Sequence, residues 1–181
     1  MVSWILLMII RFNAKGIMGD RKAPSERNTV YERNYITMKI LVIHGPNLNL
    51  LGEREPGVYG SETFEKLNND IMAEAAKLGV ECEIFQSNHE GGIIDRLHEA
   101  RKDCAGVVLN AGAYTHYSYA IRDAIAAVKI PVIEVHISNT ASRDEFRHKS
   151  VIGPVCKASV AGFGRDSYIL GMEGLVRMLE K

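Results

Sequence analysis

From residue 38 onward, short apolar runs alternate along the chain with longer segments whose apolar residues recur every three or four positions. The run Lys39–Ile43 is continuous and rich in branched side chains, which predicts a strand buried on both faces. In residues 64–78 the apolar residues have helical spacing, and Ser61 or Thr63 is placed to cap that helix. The chain therefore begins its ordered pattern with a strand followed by a helix.

The same two patterns repeat as far as the C-terminus, with helices predicted between strands and the second helix beginning after Gly91-Gly92. Further strands are predicted at Val80–Ile84, Gly106–Asn110, Ile130–Ile137 and Ala158–Gly162. Strict alternation of polar and apolar residues in the first of these indicates a strand near an edge. Residues 138–157 are polar and irregular, and one helical turn is predicted around Glu145.

Strands that alternate with helices favour a parallel sheet covered by helices on both faces. We therefore expect an α/β protein with a flavodoxin-like, doubly wound, five-stranded parallel sheet and the strand order 2-1-3-4-5.

The first 37 residues follow a different pattern. Their apolar run, Trp4–Ile10, is far shorter than the roughly 20 residues that cross a bilayer, and it lacks the basic start and cleavage site of a secretory signal. The following stretch Arg21–Asn34 is polar and without a clear period. We expect residues 1–37 to be a disordered or non-essential N-terminal extension and residues 38–181 to be the functional domain. A targeting or membrane-associating role is the alternative for the extension.

Charge and cysteine content narrow the class of protein. The whole chain has 22 basic and 22 acidic residues, which disfavours a strongly basic nucleic-acid binder. The net charge of zero is the sum of a basic N-terminal extension and a mildly acidic remainder. Cys82, Cys104 and Cys156 are widely spaced, which excludes a disulfide framework or a four-cysteine zinc site and suits a reducing, cytoplasmic location.

Polar side chains follow three of the predicted strands. In doubly wound sheets, ligands bind beyond the carboxyl ends of the strands. The candidates there are amides, histidines, hydroxyls and arginines: His44, Asn47, Asn49, Asn110, Thr115, His116, His136, Ser138, Asn139, Arg143 and Arg147. No carboxylate cluster accompanies them. This combination predicts a site that binds a small polyhydroxylated anion and moves protons on it.

Two other classes of function remain open on the residues alone. A metal hydrolase could use His116, His136 and Glu134, although no H-E-x-x-H motif is present. A flavodoxin-like module that binds FMN or another phosphate needs a cradling loop after the first strand, where bulky Leu48 and Leu50 stand instead. A later glycine loop, Gly162-Phe-Gly-Arg-Asp-Ser167, lacks the third glycine of a dinucleotide fingerprint.

Four longer motifs give a more specific indication. They are Gly45-Pro-Asn-Leu-Asn-Leu-Leu-Gly-Glu-Arg-Glu-Pro56 with Val58-Tyr-Gly60, Gln86-Ser-Asn-His-Glu-Gly91, Leu109-Asn-Ala-Gly-Ala-Tyr-Thr-His116, and Glu134-Val-His-Ile-Ser-Asn139. In this order and spacing they resemble the type II 3-dehydroquinate dehydratases, or type II dehydroquinases. The resemblance runs from Met38 to the C-terminus and leaves residues 1–37 outside it.

The resemblance implies a flavodoxin-like subunit in a dodecamer built from trimers. It also implies a cytoplasmic lyase of the shikimate pathway that leads to chorismate and the aromatic amino acids. This enzyme dehydrates 3-dehydroquinate to 3-dehydroshikimate by anti elimination, with no cofactor, no metal and no nucleic-acid or membrane partner. One departure is Ala111, which stands where many members have proline.

Five residues match the catalytic positions of that family. Removing a proton next to a ketone and then expelling hydroxide requires a base, an enolate stabiliser and an acid. The resemblance assigns Tyr59 as the base, with Arg54 as the cation that favours its phenolate, since a free phenol has a pKa of about 10. It assigns Asn47 to the enolate through a bound water, and His136 as the acid. Glu134 lies on the same side of the strand as His136 and is expected to hold its tautomer.

Six further positions match the substrate-binding residues of the family. Ile137 and Ser138 resemble the carboxylate site, which uses backbone N–H groups and the hydroxyl. Asn110, His116 and Arg147 match contacts to the ring hydroxyls and the carboxylate region. Asp123 matches a residue that a neighbouring subunit contributes, so oligomerisation is expected to complete the site.

Overall fold

A parallel sheet organises the part of the chain that the structure, a computed structural model, describes: residues 38–52 and 63–181. Its strands are β1 (Lys39–His44), β2 (Glu81–Gln86), β3 (Gly106–Asn110), β4 (Val132–His136) and β5 (Ala158–Ala161). They lie in the order β2-β1-β3-β4-β5, and each neighbouring pair is parallel. The predicted strand order and the edge position of β2 are therefore confirmed.

Three α-helices connect strands, and a fourth follows β5. They are α1 (Phe64–Leu78), α2 (Glu90–Asp103), α3 (Tyr119–Val128) and α4 (Asp166–Leu179). Thr63 caps α1, because its Oγ1 accepts a hydrogen bond from the Lys66 N–H at 3.1 Å. The other cap candidate, Ser61, lies outside the described residues. Gly79 ends α1 with φ near 69°, in the left-handed region that glycine adopts without strain.

The core lies in two layers, one on each face of the sheet. Leu41 and Ile43 of β1 pack with helices α2 and α3, whereas Ile40 and Val42 pack with α1 and α4. Successive strand side chains point to opposite faces, so a strand covered on both sides must be apolar throughout. All four of these side chains are fully buried, which accounts for the continuous apolar run.

Two predicted boundaries were wrong. Helix α2 begins at Glu90 and so contains both glycines that were expected to precede it. A Cβ on Gly92 would lie 2.9 Å from Ser87 Oγ, so a larger residue there would require the Ser87 side chain to move. Strand β4 begins at Val132 rather than at Ile130, after Pro131, which has no N–H for the strand ladder.

The segment between β4 and β5 contains three short 3-10 turns: Thr140–Ser142, Glu145–Arg147 and Gly153–Val155. The turn expected around Glu145 is one of them. In the described part of the chain, every helix is too short or too polar to span a lipid bilayer.

Candidate active site

A cleft opens at the carboxyl edge of the sheet, where the segments after β1, β3 and β4 meet. Eight of the side chains expected there line it: Asn47, Asn110, His116, His136, Ile137, Ser138, Arg143 and Arg147. The rest of the wall is largely apolar, from residues such as Pro46, Leu48 and Leu51. The cleft therefore combines a few directional polar groups with an apolar surface, as small-molecule sites do.

His136 is held by a buried carboxylate. Its Nε2 lies 2.8 Å from Glu134 Oε1, and the two side chains are 10% and 2% exposed. A carboxylate only accepts hydrogen bonds, so the N–H of this pair is on Nε2. Nδ1 is therefore the nitrogen available for proton transfer. The predicted placement of Glu134 beside His136 is confirmed.

His116 lies beside His136 with the two rings stacked, their centroids 6.5 Å apart and their planes 16° from parallel. Its Nδ1 lies 2.9 Å from the Lys149 carbonyl, so Nδ1 donates and Nε2 is left as an acceptor. Burial lowers the pKa of His116, and the neighbouring His136 and Arg147 lower it further. His116, with its lowered pKa, therefore lies directly beside the His136–Glu134 pair.

The turns after β1 and β3 are packed directly against each other. Gly45 donates its N–H to the Asn110 carbonyl at 2.7 Å, and a Cβ on Gly45 would lie 2.6 Å from the Ala111 carbonyl. Only glycine allows this approach. Gly112, with φ near 57°, lies against Pro46 in the same way. The close contact brings Asn47 and Asn110 to the same wall of the cleft.

Asn47 has a left-handed backbone, with φ near 65°. Such a conformation is uncommon for a residue with a Cβ, although asparagine tolerates it better than most. Its N–H donates to Asn88 Oδ1 at 2.9 Å, and its carbonyl accepts from Leu50 N at 3.1 Å. These two hydrogen bonds hold the residue in an unfavourable conformation at the mouth of the cleft.

The segment after β4 supplies the cations of the cleft. Arg143 Nη1 donates to Ser138 Oγ at 3.4 Å. The guanidinium carbon of Arg147 lies 4.7 Å from the ring centroid of Phe146, and its Nε is 3.6 Å from Asp144 Oδ2. That distance is too long for a hydrogen bond, so the buried Arg147 Nε has no hydrogen-bond partner among the described residues.

His44 was expected at the rim but is fully buried behind it. Its Nδ1 lies 2.9 Å from the hydroxyl of Tyr168, which is also fully buried, and the Phe64 ring meets it edge-on. Its Nε2 lies beside the Asn68 side chain without a hydrogen bond of ordinary length. Burial lowers the pKa of His44 to about 4, so this histidine is neutral near pH 7.

Other expected residues do not reach the cleft. Thr115 is fully buried instead of lining the rim, and Asn49 and Asn139 are exposed but outside the lining. Asp123 is exposed on α3 and also lies outside the lining formed by its own chain. Arg54 and Tyr59 lie outside the described residues.

Sequence reasoning missed the part played by Gln86 and Asn88. Both belong to a motif that was recognised without a role. In the structure, Asn88 accepts a hydrogen bond from the Asn47 N–H, and Gln86 donates one to Asn88. The signal was the motif itself, Gln86–Gly91, whose polar residues no predicted helix or strand required.

The described residues contain no group of three His, Cys, Asp or Glu side chains that could share a metal ion. Of the three residues that the sequence offered as metal ligands, His116, Glu134 and His136, the last two are hydrogen-bonded to each other through Glu134 Oε1 and His136 Nε2.

Comparisons with known proteins give a consistent result. The family described as "Dehydroquinase class II" matches residues 38–176. The 3-dehydroquinate dehydratase of Bacillus mycoides is 57% identical over 143 residues, which cover 79% of this chain and 98% of that relative.

Solved structures agree. The type II dehydroquinase of Butyrivibrio crossotus superposes with a TM-score of 0.76 at 54% identity, covering 77% of this chain and 97% of that one. The type II dehydroquinase of Propionibacterium acnes gives 0.74 at 40% identity, covering 78% and 99%.

The doubly wound sheet and its polar cleft define an α/β enzyme that acts on a small molecule. The length of the family match and the similarity of the relatives then make the assignment specific. The chain belongs to the class II dehydroquinase family.

Proposed function

We propose that this chain dehydrates 3-dehydroquinate to 3-dehydroshikimate in the cytoplasmic shikimate pathway. It is a hydro-lyase that removes a proton next to a ketone and expels the hydroxyl group as water, without a cofactor. The observation that carries the proposal is the Glu134–His136 pair, held at 2.8 Å in a cleft lined by amides and by two arginines. This cleft offers a proton donor, hydrogen-bonding partners for hydroxyl groups and cations for a carboxylate.

The base is Tyr59, and Arg54 favours its phenolate by charge. The enolate that forms when the proton leaves is stabilised by the Asn47 amide through a bound water. Support for this half of the reaction comes from the motif that contains all three residues and from the place of Asn47 in the cleft wall.

The acid is His136, which protonates the departing hydroxyl group through Nδ1. Its Nε2 donates to Glu134, so the carboxylate stabilises the imidazolium that serves as proton donor. Neutral His116 beside it avoids a second positive charge that would repel that imidazolium. The family resemblance implies anti elimination, which requires the base to act on the face of the substrate ring opposite to the acid.

The substrate carboxylate is bound by the backbone N–H groups at Ile137 and Ser138 and by the Ser138 hydroxyl, with Arg147 nearby. Asn110 and His116 bind the ring hydroxyl groups. His116 accepts a hydrogen bond through Nε2, since its Nδ1 is already used by the Lys149 carbonyl. The hydrogen-bond-free Nε of Arg147 is consistent with a site that an anion completes.

Asp123 enters the site from a neighbouring subunit of a dodecamer built from trimers. In its own chain it is exposed on α3, as is Tyr119 one turn earlier, at 62%. An exposed aromatic ring beside an exposed carboxylate on one helix face is expected where another subunit packs.

The catalytic domain comprises residues 38–181, and residues 1–37 are dispensable for folding and turnover. This part of the proposal is supported by the family match, which starts at residue 38, and by a relative that is covered almost completely without the extension.

The test of the reaction is a spectrophotometric assay of the full chain with 3-dehydroquinate, which follows the absorbance of the conjugated enone product. We expect turnover that EDTA does not reduce and that borohydride with substrate does not inactivate. Tyr59→Phe is expected to lower kcat at least about a hundredfold, with KM changed far less, because the phenol acts in the transition state.

Absence of enone formation by the folded chain would overturn the proposed reaction. Inactivation by borohydride in the presence of substrate would indicate a Schiff-base mechanism instead. Near-normal turnover by Tyr59→Phe would remove the base assignment while leaving the reaction itself in place.

A further inference from the structure

We propose that Asn88, supported by Gln86, is a positioning residue that sets the conformation of Asn47 for enolate stabilisation. The inference rests on the proposed function, because it gives Asn88 a role only through the part assigned to Asn47. Neither residue lines the cleft, and neither is needed to fill the core.

The backbone of Asn47 has an unusual conformation. Its φ near 65° is one of two positive values among the non-glycine residues that the structure describes, and the other is at the end of α3. This conformation is uncommon for a residue with a Cβ, although asparagine tolerates it better than most. The Asn47 N–H donates to Asn88 Oδ1 at 2.9 Å, and this hydrogen bond helps to hold the conformation.

Asn88 is itself held by hydrogen bonds. Gln86 Nε2 lies 3.1 Å from Asn88 Oδ1, 3.3 Å from the Gly45 carbonyl and 3.3 Å from Asn49 Oδ1. The Tyr114 hydroxyl donates to the Asn88 carbonyl at 3.0 Å. The turn after β2 is thereby connected to the turn after β1 through Gln86 and to the turn after β3 through Tyr114.

The side chain of Asn88 lies at the surface. Asn88 is exposed, so its side chain contributes little to the free energy of folding by packing. The amide oxygen of Asn88 accepts two hydrogen bonds, one from the Asn47 N–H and one from Gln86 Nε2. An enolate stabiliser has to be placed before the charge develops, and a small misplacement of such a group lowers the rate strongly.

The experiment compares Asn88→Ala and Asn88→Asp in the full chain with 3-dehydroquinate. Both Asn88 contacts use an acceptor oxygen, so aspartate retains them and alanine removes them. We expect Asn88→Ala to lower kcat about tenfold with KM within about twofold, and Asn88→Asp to recover most of that loss. The melting temperature of both variants is expected to stay close to that of the wild type.

Ser87→Ala is the matched control. Ser87 belongs to the same turn, but its Oγ forms its hydrogen bonds with His89 rather than with Asn47: it accepts from the His89 N–H at 3.0 Å and donates to the His89 carbonyl at 3.2 Å. Its loss is expected to lower the melting temperature without changing kcat more than about twofold.

A double-mutant cycle with Asn47→Ala tests whether Asn88 acts through Asn47. In an Asn47→Ala background, removing the Asn88 amide should change kcat by less than about twofold. The inference would be overturned if the kcat losses of Asn47→Ala and Asn88→Ala multiplied in the double variant. It would also be overturned by a normal kcat in Asn88→Ala, or by equal losses of kcat in Asn88→Ala and Asn88→Asp. If the wild-type chain does not form the enone, the proposed function has failed, which is a different outcome from any of these.

Discussion

At the amino edge of the sheet, charged side chains are paired with one another, whereas at the carboxyl edge buried polar atoms lack partners. Lys39 Nζ lies 2.7 Å from Glu83 Oε2 and 2.9 Å from Asp103 Oδ2, and Arg96 Nη2 lies 2.8 Å from Glu83 Oε1. Hydrogen bonds from Lys39 lower the pKa of both carboxyl groups. This edge resembles a closed ion-pair network.

The carboxyl edge is different. Within the described part of the chain, His44 Nε2, Thr115 Oγ1 and Arg147 Nε are buried there without a hydrogen bond. An unsatisfied buried polar group costs about 1–3 kcal/mol, so such atoms lower the stability of the folded chain. Asn47 adds an unfavourable backbone conformation. The comparison indicates that the amino edge contributes stability and that the carboxyl edge gives up some stability to hold chemical groups in place.

The comparison makes its largest prediction for His136→Gln at the carboxyl edge. Glutamine can still donate to Glu134 but cannot transfer a proton, so kcat should fall about 10²- to 10⁴-fold while the melting temperature changes little. Steady-state kinetics with thermal unfolding measures both. His98→Gln, an exposed position on α2, is the control and should leave kcat unchanged. A kcat within threefold of the wild type would remove His136 from the role of acid.

The second prediction concerns the pH dependence of stability at His44. Its pKa is about 4 in the folded chain and about 6.5 when unfolded, so the unfolded state takes up the proton first as pH falls. The stability contribution is therefore complete above about pH 6.5 and is lost progressively down to about pH 4, a total of about 3 kcal/mol.

His44→Asn removes that titration while keeping a polar side chain beside Tyr168. Denaturant unfolding between pH 7 and pH 4 should give a flatter curve for the variant than for the wild type. Parallel curves over this range would show that His44 takes up its proton equally in the folded and unfolded chain, which would contradict the lowered pKa of a buried histidine.

At the amino edge, Arg96→Met should lower the free energy of unfolding by about 1–3 kcal/mol, because it leaves Glu83 without two of its hydrogen bonds. Turnover should not change, since the cleft lies at the other edge. Arg101→Met, exposed on the same helix, is the matched control and should alter stability by less than about 0.5 kcal/mol. A large loss of kcat in Arg96→Met would mean that the two edges are not separate in function.

The smallest prediction is for Ala111→Pro. The φ of Ala111 is near −75°, which a proline ring adopts without strain, and the residue before it is at the end of a strand. The substitution should raise the free energy of unfolding by about 0.4–1 kcal/mol, because it restricts the unfolded chain. Thermal unfolding measures the change, and a decrease would show that the Ala111 N–H or the space around its Cβ is needed.

Periodicity was sufficient to predict most of the fold. The continuous apolar run of β1 and the alternation in β2 distinguish a central strand from an edge strand, and both positions are confirmed. The boundaries at Gly91-Gly92 and Ile130 were wrong for local reasons: Ser87 hydrogen-bonds to His89 in the turn directly before Glu90, and Pro131 has no N–H for the strand ladder. Such contacts between specific atoms leave no trace in a hydrophobic pattern.

The candidate site was predictable where a residue's position in a strand decides its direction. Glu134 and His136 lie two positions apart on β4, and they do meet at 2.8 Å. Thr115 lies in the turn after β3 and is buried, because the direction of a side chain in a turn depends on the neighbouring segments. His44 is the last residue of β1 and shares the face of Ile40 and Val42, where Phe64 and Tyr168 cover it. The support of Asn47 by Asn88 was not predictable, since 41 residues of sequence separate the two.

The most direct test of the central claim follows a stereospecific deuterium label next to the ketone of 3-dehydroquinate. A base and an acid on opposite faces of the ring predict that deuterium placed anti to the leaving hydroxyl group is lost and slows turnover. Deuterium placed syn should remain in the 3-dehydroshikimate product. Mass spectrometry of the product measures this distribution, and loss of the syn label would contradict the account.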